Sequence, residues 1–174
     1  LSPVDTVVGL SASGRTPYAL GALRYAVSCG AYTIGITASP ASPLAAVANL
    51  ELCAVTGPEV ITGSTRMKAG SAQKMILNIL STGVMIRLGK VYGNLMVDVK
   101  ATNEKLRERA KHIVVDATGC TVKEAETALN EASGKAKTAI VMLLLHVTAE
   151  QARARLERAD GYIRRTLDGG NHDL

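Results

Sequence analysis

Three short apolar runs, each emptying into a polar loop or turn from which a helical pattern grows, constrain this chain more than any other feature. Residues 6–10 (Thr-Val-Val-Gly-Leu), 31–37 (Ala-Tyr-Thr-Ile-Gly-Ile-Thr) and 50–55 (Leu-Glu-Leu-Cys-Ala-Val) read as strands. The first is apolar on both faces, as strands of a parallel sheet are. Thr16 as N-cap, with Pro17 at the first helical position, starts a helical pattern that runs to about Cys29. Residues 38–43 form a turn-rich loop and 44–49 fit a short helix. This alternation predicts an α/β fold, a doubly wound parallel sheet with right-handed crossovers. Ligands of such sheets bind beyond the carboxyl ends of the strands, where the loops 11–16 and 56–68 lie.

The second of those loops opens the stretch Gly57-Pro-Glu-Val-Ile-Thr-Gly-Ser-Thr-Arg-Met-Lys-Ala-Gly-Ser-Ala-Gln-Lys74. A helix N-terminus carries about half a positive charge, so Arg66 and Lys68 in its first turn are out of place unless an anion rests there. Free N–H groups, the hydroxyls of Ser64 and Thr65 and the two cations would hold it. The plain alternative is a helix start whose cations point to water.

The helix expected from about 65 to 88 is apolar on most sides (Met75, Ile76, Leu77, Ile79, Leu80, Val84, Met85, Ile86), which predicts burial against the sheet and a neighbour such as a second subunit. Gly89 ends it, and Gly93-Asn94 turns the chain into 95–99. Composition shifts after about Lys100, giving two domains, 1–100 and 101–174. Helices are expected over 103–116, 121–133 (opened by a Thr121/Glu124 capping box), 135–146, 148–159 and 161–167. Together they form a small helical bundle, and 168–174 read as a frayed tail.

Hydrophobic residues make up 47% of the 174, with no Trp or Phe, so the core is aliphatic. The net charge of +5 is spread among interspersed acids, with no basic run interleaved with aromatics, which argues against nucleic acid. Cys29, Cys53 and Cys120 show no metal or disulfide spacing and fit reduced thiols in a cytoplasmic protein. No apolar run reaches membrane-span length. The chain opens on Leu1 and enters a strand almost at once, as a piece of something longer would. His112, His146 and His172 lack partners at ligand spacing, and Asp98 reads as an edge-strand polar residue.

Gly9-Leu-Ser-Ala-Ser-Gly-Arg-Thr16 nearly matches a P-loop, but Arg15 stands where lysine is required and no strand ends in a magnesium-binding Asp. Ser11, Ser13 and Thr16, three hydroxyls in six residues, instead suit a phosphate held without metal; an ordinary βα turn with solvated hydroxyls is the alternative. Two such loops at one sheet edge could grip a sugar phosphate at two places. Glu59, the one carboxylate in either loop, then stands open between two roles. It is an acid or base on the substrate, or a structural hydrogen-bonder to neighbouring N–H groups.

Ser11-Ala-Ser-Gly-Arg-Thr-Pro-Tyr18, Gly57 to Gly70 and Gly89-Lys-Val-Tyr-Gly-Asn-Leu-Met-Val-Asp98 closely resemble the N-acetylmuramic acid 6-phosphate etherases, sugar-isomerase-domain enzymes related to the glucokinase regulatory protein. The resemblance runs from Val4 to Leu167. It implies a cytoplasmic, homodimeric lyase without metal or cofactor. Such an enzyme would remove the lactyl ether of N-acetylmuramic acid 6-phosphate in cell-wall recycling, by elimination and water addition. It places Ser11, Ser13 and Thr16 on the phosphate, and Glu59, Ser64, Thr65 and Arg66 along the sugar; Arg15 and Lys68 join them as substrate-binding candidates. It also implies a region preceding Val4 that carries the first strands and the acid and base glutamates, so that the catalytic residues fall outside this numbering. A sugar-phosphate sensor that binds without turnover is the rival of a different class, and a magnesium-dependent NTPase is the third.

Overall fold

The computed structural model describes residues 1–99 and 103–169. The chain separates into two compact units, Leu1–Ser81 and Thr82–Leu174. The domain boundary expected at 100/101, the tail from 170 onward and His172 lie outside the described residues.

In the first unit, β1 (Thr6–Leu10), β2 (Tyr32–Thr37) and β3 (Leu50–Cys53) form a parallel sheet in the order β1-β2-β3. Val8 pairs with Ile34 and Ile34 with Leu50, so the strands advance in register and their carboxyl ends share one edge. Helix α1 (Pro17–Ser28) joins the first two strands and α2 (Pro43–Val47) the next two. Their buried Ala19, Leu23 and Leu44 form one cluster with Val7 and Val47. Burying a side chain such as Leu23 contributes roughly 1.5–3 kcal/mol.

Among the described residues the three strands follow one another in sequential order, and α1 and α2 pack together on one face. That face is set by small residues: a Cβ on Gly9 would stand 3.0 Å from Leu23 Cγ, and one on Gly35 3.2 Å from Ala48 Cβ. By alternation Leu10, Tyr32 and Leu50 point the other way, and all three are exposed large hydrophobics.

Helix α3 (Lys68–Arg87) is long and apolar as expected, but only Ala69 of its 20 residues is buried. Met75 and Ile79 are 64% and 69% exposed, so within one chain the expected burial is absent.

The second unit takes in the last residues of α3 and then a short hairpin, β4 (Val91–Tyr92) and β5 (Leu95–Met96), turned at Gly93-Asn94 as expected. The helices α4 (Glu104–Thr118), α5 (Val122–Glu131), α6 (Ala136–Leu145), α7 (Ala149–Arg158) and α8 (Ile163–Leu167) follow close to the expected spans. Helix α6 is apolar all round and lies at the centre, with Ile140 and Val141 fully buried among residues of α4, α5, α7 and α8. Reciprocal capping boxes, Thr121 with Glu124 and Thr148 with Gln151, start α5 and α7 and satisfy donors the helices cannot.

Candidate functional site

Both sequence-predicted loops leave the same edge of the sheet. Their roots on β1 and β3 are separated by β2, two strand spacings or about 10 Å.

In the first loop, Ser11 extends the sheet by donating its N–H to Ile36 O at 3.0 Å, and Ala38 N donates to Ala12 O at 2.9 Å. The Ser11 side chain, 6% exposed, shares a 2.8 Å hydrogen bond with Thr16 Oγ1. Thr16 N donates to Ser11 Oγ at 3.4 Å and Arg15 N to Ser13 Oγ at 3.3 Å. All four predicted residues are thus tied into one turn, with Ser13, Arg15 and Thr16 exposed on it. Gly14 makes the turn possible. Its φ is +65°, and a Cβ there would stand 2.2 Å from Ser42 Oγ. Ser42 in turn caps α2 by accepting from Ala45 N at 3.2 Å, and Leu44 N donates to Gly14 O at 3.0 Å. Sequence reasoning missed Ser42, although Ser followed by Pro43 is a helix-start signal that could have found it.

The end of α1 above this turn is open. Thr16 is its N-cap residue yet makes no side-chain capping bond, and the first turn holds no acid. Among the described residues no hydrogen bond uses the N–H of Ser13, Tyr18 or Ala19. Unpaired N–H groups, two hydroxyls and the Arg15 guanidinium at a helix N-terminus are the donors an oxyanion requires.

The second loop is built otherwise. The Glu59 carboxylate accepts from Lys68 N at 3.0 Å and from Ala69 N at 3.1 Å. Lys68 Nζ reaches back to Pro58 O at 2.8 Å, so adjacent residues at each end of the loop clasp one another. Gly70 N donates to Thr65 O and Ser71 N to Met67 O. All four N–H groups of the first turn of α3 are therefore engaged within the chain, and the free N–H groups expected there are absent. The backbone bonds from Lys68, then Ala69, hold the Glu59 carboxyl below its ordinary range. Ser64, Thr65 and Arg66 keep their side chains clear of any hydrogen bond or ion pair among the described residues. These three lie on the same loop as Glu59, and Lys68 is turned to Pro58.

Elsewhere the chemistry is already paired. A recess of about 320 Å³ between α4 and α5 is lined by Glu104, Arg107, Glu108, Lys111 and Glu126. There Lys111 bonds Glu108 at 2.6 Å and meets Glu126 at 3.6 Å. Asp98 pairs with Lys90 at 3.4 Å, and His146 is the left-handed C-cap of α6. No cluster of metal-ligating side chains occurs among the described residues, and none of their helices is long and apolar enough to cross a membrane.

Residues 1–83 match the SIS domain family model. The chain is 56% identical over 167 residues to the N-acetylmuramic acid 6-phosphate etherase of Pasteurella multocida, a match covering 96% of this chain and 56% of that protein. The etherases of Aeromonas hydrophila and Yersinia pestis are each 58% identical, over 91% and 96% of this chain and 53% and 57% of theirs. By sequence, the chain is related to these N-acetylmuramic acid 6-phosphate etherases over nearly its whole length. It spans about half the length of these relatives. The Ser11–Thr16 turn and the clasped loop both lie within the SIS match.

Proposed function

We propose that this chain is the phosphosugar-binding part of an etherase that converts N-acetylmuramic acid 6-phosphate and water to N-acetylglucosamine 6-phosphate and lactate, in the recycling of cell-wall amino sugars in the cytoplasm. The observation that carries the reading is the open N-terminus of α1. Ser11, Ser13, Arg15 and Thr16 surround unpaired N–H groups, and the first turn of α1 holds no acid to compete for them. That donor set takes a phosphate dianion without a metal. Ser64, Thr65 and Arg66, one strand spacing beyond β2, would meet the hexose ring.

The proton transfers that break the ether need an acid and a base, and we assign neither to this chain. The three unpaired cysteines suit a reducing compartment. A homodimer is part of the same reading, because α3 leaves Met75, Ile79, Val84 and Met85 uncovered. A concentration-dependent mass near twice 18.2 kDa in light scattering supports it, and a monomer at all concentrations removes it.

The deciding experiment is calorimetric titration with N-acetylglucosamine 6-phosphate in the presence of a chelator. Saturable binding that weakens about tenfold or more in Ser13→Ala supports the cradle, since a hydrogen bond to a charged group carries that much. A folded chain that fails to bind overturns it. Binding by a longer polypeptide of this family that never releases lactate favours the sensor over the lyase.

A further inference from the structure

We propose that Glu59 is a positioning residue: its carboxylate, with the side chain of Lys68, clasps the loop 58–68 shut and so fixes Ser64, Thr65 and Arg66 for a phosphosugar, without itself exchanging a proton with the ligand. The inference rests on the phosphosugar reading above and assigns the role that reading leaves open.

A general acid or base must reach the substrate and change its protonation during turnover. Glu59 does neither easily. Both its oxygens are occupied, one by Lys68 N and one by Ala69 N, and a carboxylate bonded by two N–H groups is held ionised. Its charge also faces the positive end of a 20-residue helix and the Lys68 ammonium. Leaving that position to meet a ligand would uncap α3 and open two donors at once.

What the carboxylate does accomplish is closure. The chain departs at Pro58, passes through Gly63 and returns at Lys68, and the two ends are joined by three hydrogen bonds, all donated by Lys68 and Ala69 to acceptors on Pro58 and Glu59. Inside the closed loop, Ser64 N bonds Ile61 O at 3.1 Å and Thr65 O receives Gly70 N at 2.9 Å. The backbone on which the two hydroxyls and Arg66 ride is thereby fixed at both sides. A loop fixed in advance binds more tightly because its ordering cost is met in the free protein.

The test is a titration of amide resonances by two-dimensional NMR on the chain itself, without and with N-acetylglucosamine 6-phosphate, for wild type, Glu59→Gln and Glu59→Ala. The expected result is that the amide signals of Lys68 and Ala69 move together as pH falls through the lowered Glu59 value. They do so with and without ligand, and not in Glu59→Gln. Affinity then declines in order, with Glu59→Gln weakened about threefold and Glu59→Ala about tenfold, because glutamine keeps one of the two acceptors. Two results overturn the proposal. One is loss of the coupled titration when ligand is added, which means Glu59 leaves the helix for the substrate. The other is an equal collapse of affinity in both variants, which marks direct recognition of the carboxylate. If wild type binds no ligand, the phosphosugar reading falls, while the coupled titration in the free chain still decides whether the clasp exists.

Discussion

Helices α1 and α3 start from the same edge of one parallel sheet, through loops rich in Gly, Ser and Thr, yet their N-termini are finished in opposite ways. At α1 the N-cap hydroxyl is spent on Ser11 Oγ, the first residue is Pro17, and the next N–H groups stay unpaired. At α3 the Glu59 carboxylate and the carbonyls of Thr65 and Met67 consume all four donors. A helix N-terminus is thus an anion site only after its donors have been counted. Basic residues nearby mislead: Arg66 and Lys68 made the α3 end look like an anion site, but the protein supplies the anion there itself.

Making the α1 end resemble the α3 end gives the largest expected effect. Thr16→Asp puts a carboxylate at an N-cap position that now makes no capping bond. It should abolish phosphosugar binding, by at least about 100-fold, through repulsion and occupied donors. The same change should raise stability by about 0.5–1 kcal/mol, since Asp is a preferred N-cap facing the helix dipole. Calorimetry and urea unfolding on one variant read both signs. A variant that still binds would break the comparison.

Gly14→Ala comes next. It places a Cβ 2.2 Å from Ser42 Oγ at a φ of +65°, so either the turn opens or Ser42 leaves its cap on α2. The expected loss is about 2–3 kcal/mol, combining left-handed strain with a lost cap. Urea unfolding checks it, and a loss under about 0.5 kcal/mol would mean that the turn is not keyed to α2.

Much of this was legible in the residues and part was not. The strands, α1 and the bundle helices follow from apolar periodicity, Pro17 and the capping boxes at Thr121 and Thr148, all of which are local signals. Strand order is not local. Nothing in 6–10, 31–37 or 50–55 says whether the third strand lands beside the second or reverses past the first; the observed order is β1-β2-β3. The Glu59 clasp joins residues nine and ten apart through side-chain to backbone bonds. A capping box sits three apart, and no comparable spacing rule announces this longer version. Helix α3 shows a further limit: its apolar pattern is real, but pattern alone does not say which surface covers it.

The pH response should follow the two capping carboxylates. Glu59 is lowered by the backbone N–H groups of Lys68 and Ala69, and Glu124 by the Thr121 hydroxyl and then its N–H. A depressed folded-state value means the contribution is fully present above the ordinary value near 4.5 and is lost as pH falls through the lowered one. Helix signal should therefore hold at pH 5 and above and decline only below that value, in circular dichroism. Glu59→Gln and Glu124→Gln should each flatten part of the decline. The α1 end has no such carboxylate, so its amides should show no shared titration in that window. A common titration at Tyr18 and Ala19 would erase the contrast.

The smallest effect concerns which cation of the second loop matters. Lys68 donates to an exposed carbonyl, Pro58 O at 2.8 Å, and sits in the first turn of a helix where a positive charge is unfavourable. Lys68→Met removes a weak hydrogen bond and an adverse charge together. These oppose each other, so ligand affinity should change by less than about twofold. Arg66 makes no ion pair or hydrogen bond among the described residues and rides on the clasped backbone. Arg66→Met should then weaken binding about tenfold, as loss of a charge-assisted contact does. Equal losses in the two variants would mean that Lys68 abandons Pro58 when the ligand arrives. The clasp would then be held by Glu59 alone.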